Sequence, residues 1–324
     1  MNLQQIYDLA IKTGIEADLR GPAAVKKILA KKKDKYNQLS GEHKKEFDSE
    51  RLTNPYSDTR ILFNNGNSVK KVLVGIDIGS AEILMAKELG ADTVISHHPL
   101  GDALADLGDV MHLQSDLLAM YGVPINIAEA LTKERISEVA RGIAAVNHYR
   151  TVDAARLFDI NLVCIHTPCD NLAAVFLDRL IKKAKPETVG EIVRILKTVP
   201  EYQEAIKRKS GPKVFVGNDE NSTGRIVLTD ITGGTEGAVG MYEKMAQAGI
   251  GTIIGMHIDE ERKKEAQKYH VNVVIAGHIS SDSLGVNQFL DQLEKAGIAI
   301  IPASGLIRIS RNKKAKSAAK KKRK

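Results

Sequence analysis

The sequence predicts an α/β protein built as two similar lobes, each with a largely parallel or mixed sheet flanked by helices. Three observations carry that expectation. Apolar runs of strand length alternate with helical patterns from Val69 onward, the alternation pauses near residues 182–186 and resumes, and several runs end in histidine. Such a rhythm marks βαβ units, whose parallel strands are covered by the helices that connect them.

The elements follow in order. Residues 1–68 read as a helical segment packed on the first lobe. Leu3, Ile6, Tyr7, Ala10 and Ile11 have amphipathic spacing, unlike a signal peptide, and residues 23–47 read as a solvated helix face whose lysines are offset by later acids. Asn54-Pro55 marks a loop. The first lobe, residues 69–185, has apolar runs starting at Val72, Thr93, Pro124 and Asn161, with helices expected over 81–89, 110–121, 133–144 and 172–183. The second lobe, residues 186–310, begins with two short helices. It then has runs at 213–216, 225–231, 251–256, 271–276 and 298–301, separated by helices over 236–248, 259–269 and 283–296. Residues 311–324 are expected to be a disordered basic tail.

Chemistry gathers at the strand ends, where open α/β sheets place their ligand sites. His97 and His98 close the run 92–96, and Pro99 stops further ladder pairing. Neighbouring strand side chains point to opposite faces, so these two rings serve either one ion at a broken strand end or two ions. A second run ends at His166, with Asp170 close behind, and a third ends at His278, with Asp282 four residues on. If a helix begins near Ser280, His278 lies before its first turn and Asp282 within it, so both can reach one centre. Each aspartate has a plainer explanation too, as a first-turn acid favoured by the helix dipole. Mixed nitrogen and oxygen donors leave zinc, iron, manganese and nickel open.

At these residues the chain resembles the Nif-three-like dinuclear metal-centre family, often described as homologues of a type 2 form of GTP cyclohydrolase I. Val72-Leu-Val-Gly-Ile-Asp77 and Gly90-Ala-Asp-Thr-Val-Ile-Ser-His-His-Pro-Leu100 carry the likeness most specifically. His166-Thr-Pro-Cys-Asp170, Thr232-Gly-Gly-Thr-Glu-Gly237 and the stretch from Gly277-His278 to Asp282 follow in the same order. The resemblance implies that His97, His98, Asp170, His278 and Asp282 are ligands of two divalent metal ions. Asp282 stands where the family has a bridging glutamate, one methylene longer. His166 matches the motif without being a ligand there and is expected to support the site by a hydrogen bond. The resemblance also implies a ring-like homohexamer with its metal sites facing an internal cavity. The chain departs from the family in having Pro168 and Cys169 in the central block and no tryptophan at all.

Two cations held this way can activate water as a metal-bound hydroxide, so a hydrolase acting on a small molecule, a nucleotide or related heterocycle, is the expected function. The site is expected in the cleft between the lobes. His112, His148, His257, Glu129 and Glu236 are ionisable residues near the motif blocks, and the sequence gives no means of choosing an acid or base among them. The turn 232–237 reads either as an anion cradle before a helix or as a tight turn that needs glycine torsions. A metal-storage, delivery or sensing protein is the alternative, and an interaction protein using its tail is a third class.

Composition bounds these readings. A chain of 324 residues with 43% hydrophobic content can bury a sizeable core. Cys164 and Cys169 are the only cysteines, which excludes a disulfide framework, fits a reducing compartment and leaves Cys169 as a buried filler, a minor ligand or a reactive thiol. No stretch is apolar enough to span a membrane, and cytoplasmic residence is expected. The net charge of +7 is unevenly placed: nine cations and no acid lie in residues 311–324, leaving −2 for residues 1–310. That tail can give salt-sensitive, non-specific nucleic-acid contact, but it has no aromatic residue to stack on bases.

Overall fold

The computed structural model of the chain describes residues 1–312. Its N-terminal part holds α1 (Leu3–Glu16), α2 (Pro22–Gln38) and α3 (Gly41–Glu46), then the strand β1 (Arg60–Phe63). The chain continues through β2 (Lys71–Gly75), α4 (Ser80–Glu88), β3 (Thr93–Ser96), α5 (Gly101–Ala105), α6 (Leu107–Val110), α7 (His112–Met120), α8 (Ile125–Ala144), α9 (Arg150–Phe158), β4 (Asn161–Cys164) and α10 (Thr167–Ala184). After α11 (Val189–Leu196) and α12 (Pro200–Lys207) come β5 (Lys213–Val216), β6 (Arg225–Leu228), α13 (Met241–Gln247), β7 (Ile250–Gly255), α14 (Glu260–Lys268), β8 (Asn272–Ile275), α15 (His278–Lys295) and β9 (Ala299–Pro302).

Two mixed sheets result, in the orders β1-β4-β3-β2-β9 and β5-β8-β7-β6. In each, one edge strand runs antiparallel, β1 against β4 and β5 against β8, and the remaining pairs are parallel. Every residue of β3, β4 and β8 is buried, as expected of parallel strands covered on both faces. Gly75 pairs with Ser96 and Ser96 with Cys164, so β2, β3 and β4 end at one level. The residues just past them, Asp77, His97 and His166, emerge at the carboxyl edge of the first sheet.

Local signals explain several boundaries. Asn2 and Gln5 form a reciprocal capping box that starts α1, and Thr188 and Glu191 do the same for α11. Pro168 sits in the first turn of α10, where its missing N–H costs nothing.

The structure departs from the sequence expectations at six places. The run at Pro124 is not a strand: the Pro124 carbonyl accepts from Ile127 and Ala128 and opens α8, a case where a short apolar run cannot be told from a helix start by period. Residues 1–68 are not only helical, because β1 lies within them and closes the edge of the first sheet. The run 298–301, expected in the second lobe, is β9 and pairs with β2 of the first sheet. The helix expected over 236–248 begins only at Met241, since Gly233 and Gly234 both hold left-handed torsions and the chain stays irregular through Gly240. The last long helix begins at His278, not near Ser280 or Ser283. Arg311, assigned to the disordered tail, is held in the folded body by both oxygens of the fully buried Glu201, at 2.7 and 2.9 Å. The remainder of the proposed tail, residues 313–324, lies outside the described residues. No helix among the described residues is long and apolar enough to cross a membrane.

Candidate metal centre

The same local unit occurs once at each sheet. β4 ends before His166, and α10 carries Asp170 one turn later; β8 ends before His278, and α15 carries Asp282 one turn later. Residues four apart share a helix face, and the imidazole Nε2 stands 3.6 Å from the aspartate carboxylate in both units. α10 and α15 pack against each other, which brings the two units together. Their approach depends on Gly285, where a Cβ would collide with the Cys169 carbonyl oxygen and stand 2.7 Å from its carbonyl carbon.

Between the units come His97 and His98. Their consecutive amides donate to the consecutive carbonyls of Gly75 and Ile76, each at 3.0 Å, so regular strand alternation has ended at this point. Both rings therefore reach the same carboxylate. His97 Nε2 is 3.5 Å from Asp282 Oδ1 and 3.3 Å from Asp170 Oδ1, while His98 Nε2 is 3.4 Å from Asp282 Oδ2. The structure thus gathers all five residues expected as ligands, His97, His98, Asp170, His278 and Asp282. They fall into two sets that can each hold a metal ion, His97 with Asp170 and Asp282, and His98 with His278 and Asp282. Asp282 belongs to both and turns one oxygen toward each.

Three ring nitrogens are fixed from behind. His98 Nδ1 is 2.7 Å from Asp77 Oδ1, His166 Nδ1 is 2.8 Å from Asp58 Oδ2, and His97 Nδ1 is 3.2 Å from the Ile165 carbonyl. Each anchor leaves Nε2 facing the cluster, the arrangement that orients metal-binding histidines. His166, with His97 and His98, also makes up a third set of atoms within metal-holding distance. Asp77 closes the Val72–Asp77 block, which assigned it no role, and Asp58 lies in no motif block.

Electrostatics follow from burial and crowding. Burial opposes ionisation of Asp282, but His97, His98 and His278 overcome it and hold the carboxyl well below its ordinary range. Burial likewise opposes protonation of His97, and Asp282 and Asp170 outweigh it, raising the imidazole well above its ordinary value. His278 is lowered by burial and by the rings of His257, His98 and His97 against the pull of Asp282. His97 Nε2, Asp170 Oδ1 and Asp282 Oδ2 are buried and have no hydrogen-bond partner. Such atoms are costly to leave unsatisfied, and three of them in one cluster, His97 Nε2 and Asp170 Oδ1 in one set and Asp282 Oδ2 facing the other, are donors suited to cations.

The other ionisable candidates separate. His257 Nδ1 is 2.7 Å from Glu236 Oε1, and its ring stands 4.8 Å from that of His278. With His166, Asp230 and Asp282, His257 lines a cavity of about 30 Å³ over the cluster. His112 and Glu129 instead line a separate cavity with Arg20 and Asp109, and the His148 ring meets the Val146 carbonyl and the edge of Tyr149. Cys164 and Cys169 are both buried, and burial pushes the Cys164 thiol up to about 12 and the Cys169 thiol up as well, so the filler reading fits both. The turn 232–237 packs on α7, with Gln114 Nε2 donating to the Gly233 carbonyl at 3.0 Å, and Thr232 donates to Asn171 beside Asp170 at 2.7 Å. It is a glycine-dependent turn, and no helix N-terminus follows it directly.

No protein-family model matches the chain. Over 243 residues it is 22% identical to a protein from Deinococcus radiodurans described as a GTP cyclohydrolase 1 type 2 homolog, covering 70% of this chain and 77% of the relative. The crystal structure of a NIF3 superfamily protein from Sphaerobacter thermophilus superposes with a TM-score of 0.72 at 28% identity, covering 77% of this chain and 92% of the other.

Proposed function

The chain belongs to the Nif-three-like family, and from that premise we propose that its strand-end cluster binds two divalent cations and that the protein is a metal-dependent hydrolase of a small molecule. The observation that carries this reading is the presence in one cluster of three buried, partnerless atoms, His97 Nε2, Asp170 Oδ1 and Asp282 Oδ2. His97, Asp170 and Asp282 would hold one ion, His98, His278 and Asp282 the other, in the cleft between the carboxyl edges of the two sheets. A bound pair of such ions supplies an activated water and a clamp for a phosphoryl or acyl oxygen. Around it, Asp77 and Asp58 keep the rings of His98 and His166 oriented. Glu236 fixes His257 Nδ1, leaving His257 Nε2 as the atom that hands a proton to a leaving group within the cavity. The name of the Deinococcus relative points to hydrolysis at a heterocycle, which this broader class contains.

One observation favours the metal-storage or sensing alternative: the cavity directly over the cluster, about 30 Å³, has room for little more than a water. The homohexamer is part of the same proposal. Leu84 and Met85 on α4 and Leu89 just past it, with Leu157 and Phe158 at the end of the packed α9, leave apolar side chains exposed, as a self-associating chain requires.

The test is elemental analysis of protein purified without added metal, followed by an activity screen of that sample against phosphate esters and cyclic amidines. Two equivalents of metal with turnover lost in His98→Ala supports the hydrolase. Two equivalents without turnover supports the binding protein, and protein that takes up no metal refutes both.

A further inference from the structure

A groove of about 540 Å³ opens beside the cluster, and His257 and His278 belong to its wall as well as to the small cavity over the aspartates. We propose that this groove is the substrate site of the metal centre and that it takes a phosphate monoester carrying a flat ring, of nucleoside monophosphate size. The inference rests on the metal-centre reading given above.

Charge is the first argument. Arg208, Lys209 and Lys213 line the groove, and among the described residues no carboxylate lies within 4.0 Å of their charged nitrogens. Three unpaired cations around one concavity create a field that an anion of charge near −2 would neutralise. They are also close to the cluster by construction. Lys213 pairs with Ile275, three residues before His278. The turn after α12 is pressed against the start of α15, where a Cβ on Gly277 (φ +108°) would lie 2.9 Å from the Ser210 carbonyl oxygen. Arg208 and Lys209 thus border the segment that presents His278.

The second argument is the groove's floor. Phe215, two residues from Lys213 on the edge strand β5, is 45% exposed, and Met256, Ile258 and Ile279 continue the apolar lining. An exposed aromatic face next to unpaired cations suits a ligand with a planar body and an anionic end. The volume lies within the range of small-molecule sites. A phosphate held by the cations serves as a handle remote from the reacting atoms, while the ring reaches toward His257 and His278.

The test measures binding of adenosine 5′-monophosphate and of adenosine to the full-length protein by titration calorimetry, with metal content and molar mass determined on the same samples. The expected result is tighter binding of the monophosphate, weakened on the order of tenfold or more in the Arg208→Ala/Lys213→Ala variant, with adenosine binding, metal content and mass unchanged. Monophosphate binding no tighter than adenosine, or unaffected by the variant, overturns the proposal. A variant that changes the molar mass instead identifies the groove as a contact between copies and also overturns it. Charge-dependent binding by a protein that takes up no metal leaves the groove standing and removes the metal-centre reading alone.

Discussion

Asp58 Oδ2 lies 2.8 Å from His166 Nδ1 and accepts a second hydrogen bond from Thr167 Oγ1 at 2.6 Å, with all three groups buried. A carboxylate oxygen that accepts twice requires Nδ1 of the ring to carry its proton, so Nε2 is the basic nitrogen and it faces the cluster. Asp58→Asn would preserve the shape and the threonine contact while freeing the ring to adopt the other tautomer. The expected outcome is a metal dissociation constant raised by about 10–100-fold with an unaltered circular dichroism spectrum, measured by chelator competition.

Asp282 and Asp170 have different expected effects because only Asp282 belongs to both ion-holding sets. Asp282→Asn should remove both ions, and Asp170→Asn or His278→Ala only one. Metal per chain after gel filtration, read by mass spectrometry, distinguishes these outcomes, and equal loss from all three variants would contradict a shared aspartate.

The pH dependence has a definite sign. His97 and His166 have folded pKa values raised above the ordinary imidazole value, so their contribution to metal-free stability is full below about pH 6.5 and is lost as pH rises through the raised values. Asp282 is depressed, so its contribution is present above the ordinary carboxyl value and lost only as pH falls through the depressed one. A cation must displace the imidazole protons, so its affinity rises over the window in which metal-free stability falls. The gap in Tm between metal-loaded and chelator-treated protein should therefore widen from about pH 6 to about pH 9 in differential scanning fluorimetry. A gap that narrows would contradict the charge assignment.

Gly285→Ala should damage fold and site together. Its methyl would meet the Cys169 carbonyl, so α10 and α15 must separate, and with them Asp170 and Asp282. A loss of about 1–3 kcal/mol in urea unfolding, accompanied by weaker metal binding, is expected.

Arg311 belongs to the body, so the point of truncation matters. A chain ending at Asn312 should keep its Tm and lose any salt-sensitive nucleic-acid binding carried by the later lysines. A chain ending at Ser310 leaves Glu201, fully buried, with only Asn287 as a partner and should be destabilised by about 2 kcal/mol.

Much of this was legible because strand-end chemistry leaves a local trace. His97 and His98 before Pro99, and the His166/Asp170 and His278/Asp282 spacings, can be read without knowing which strands pair. The anchoring carboxylates could not be read in this way. Asp58 lies in a loop 108 positions from His166, and nothing near it signals a partner. Glu236 and His257 stood among five equal candidates until the β6–α13 and β7–α14 connections brought them to 2.7 Å. Sequence order suggests neighbours and so points β9 to the second lobe, while its partner β2 lies more than two hundred residues earlier.

That long-range pairing has a consequence for how the molecule is made and broken. β9 fills an edge of a sheet whose other strands are complete by Cys164, so no single cut divides the polypeptide into two self-sufficient halves. A protease nick between the sheets should leave the pieces clasped together. On the ribosome, every histidine of the cluster emerges before the final strand of the scaffold that presents it, so a chain stalled just short of Ala299 would expose the imidazoles on an unfinished sheet.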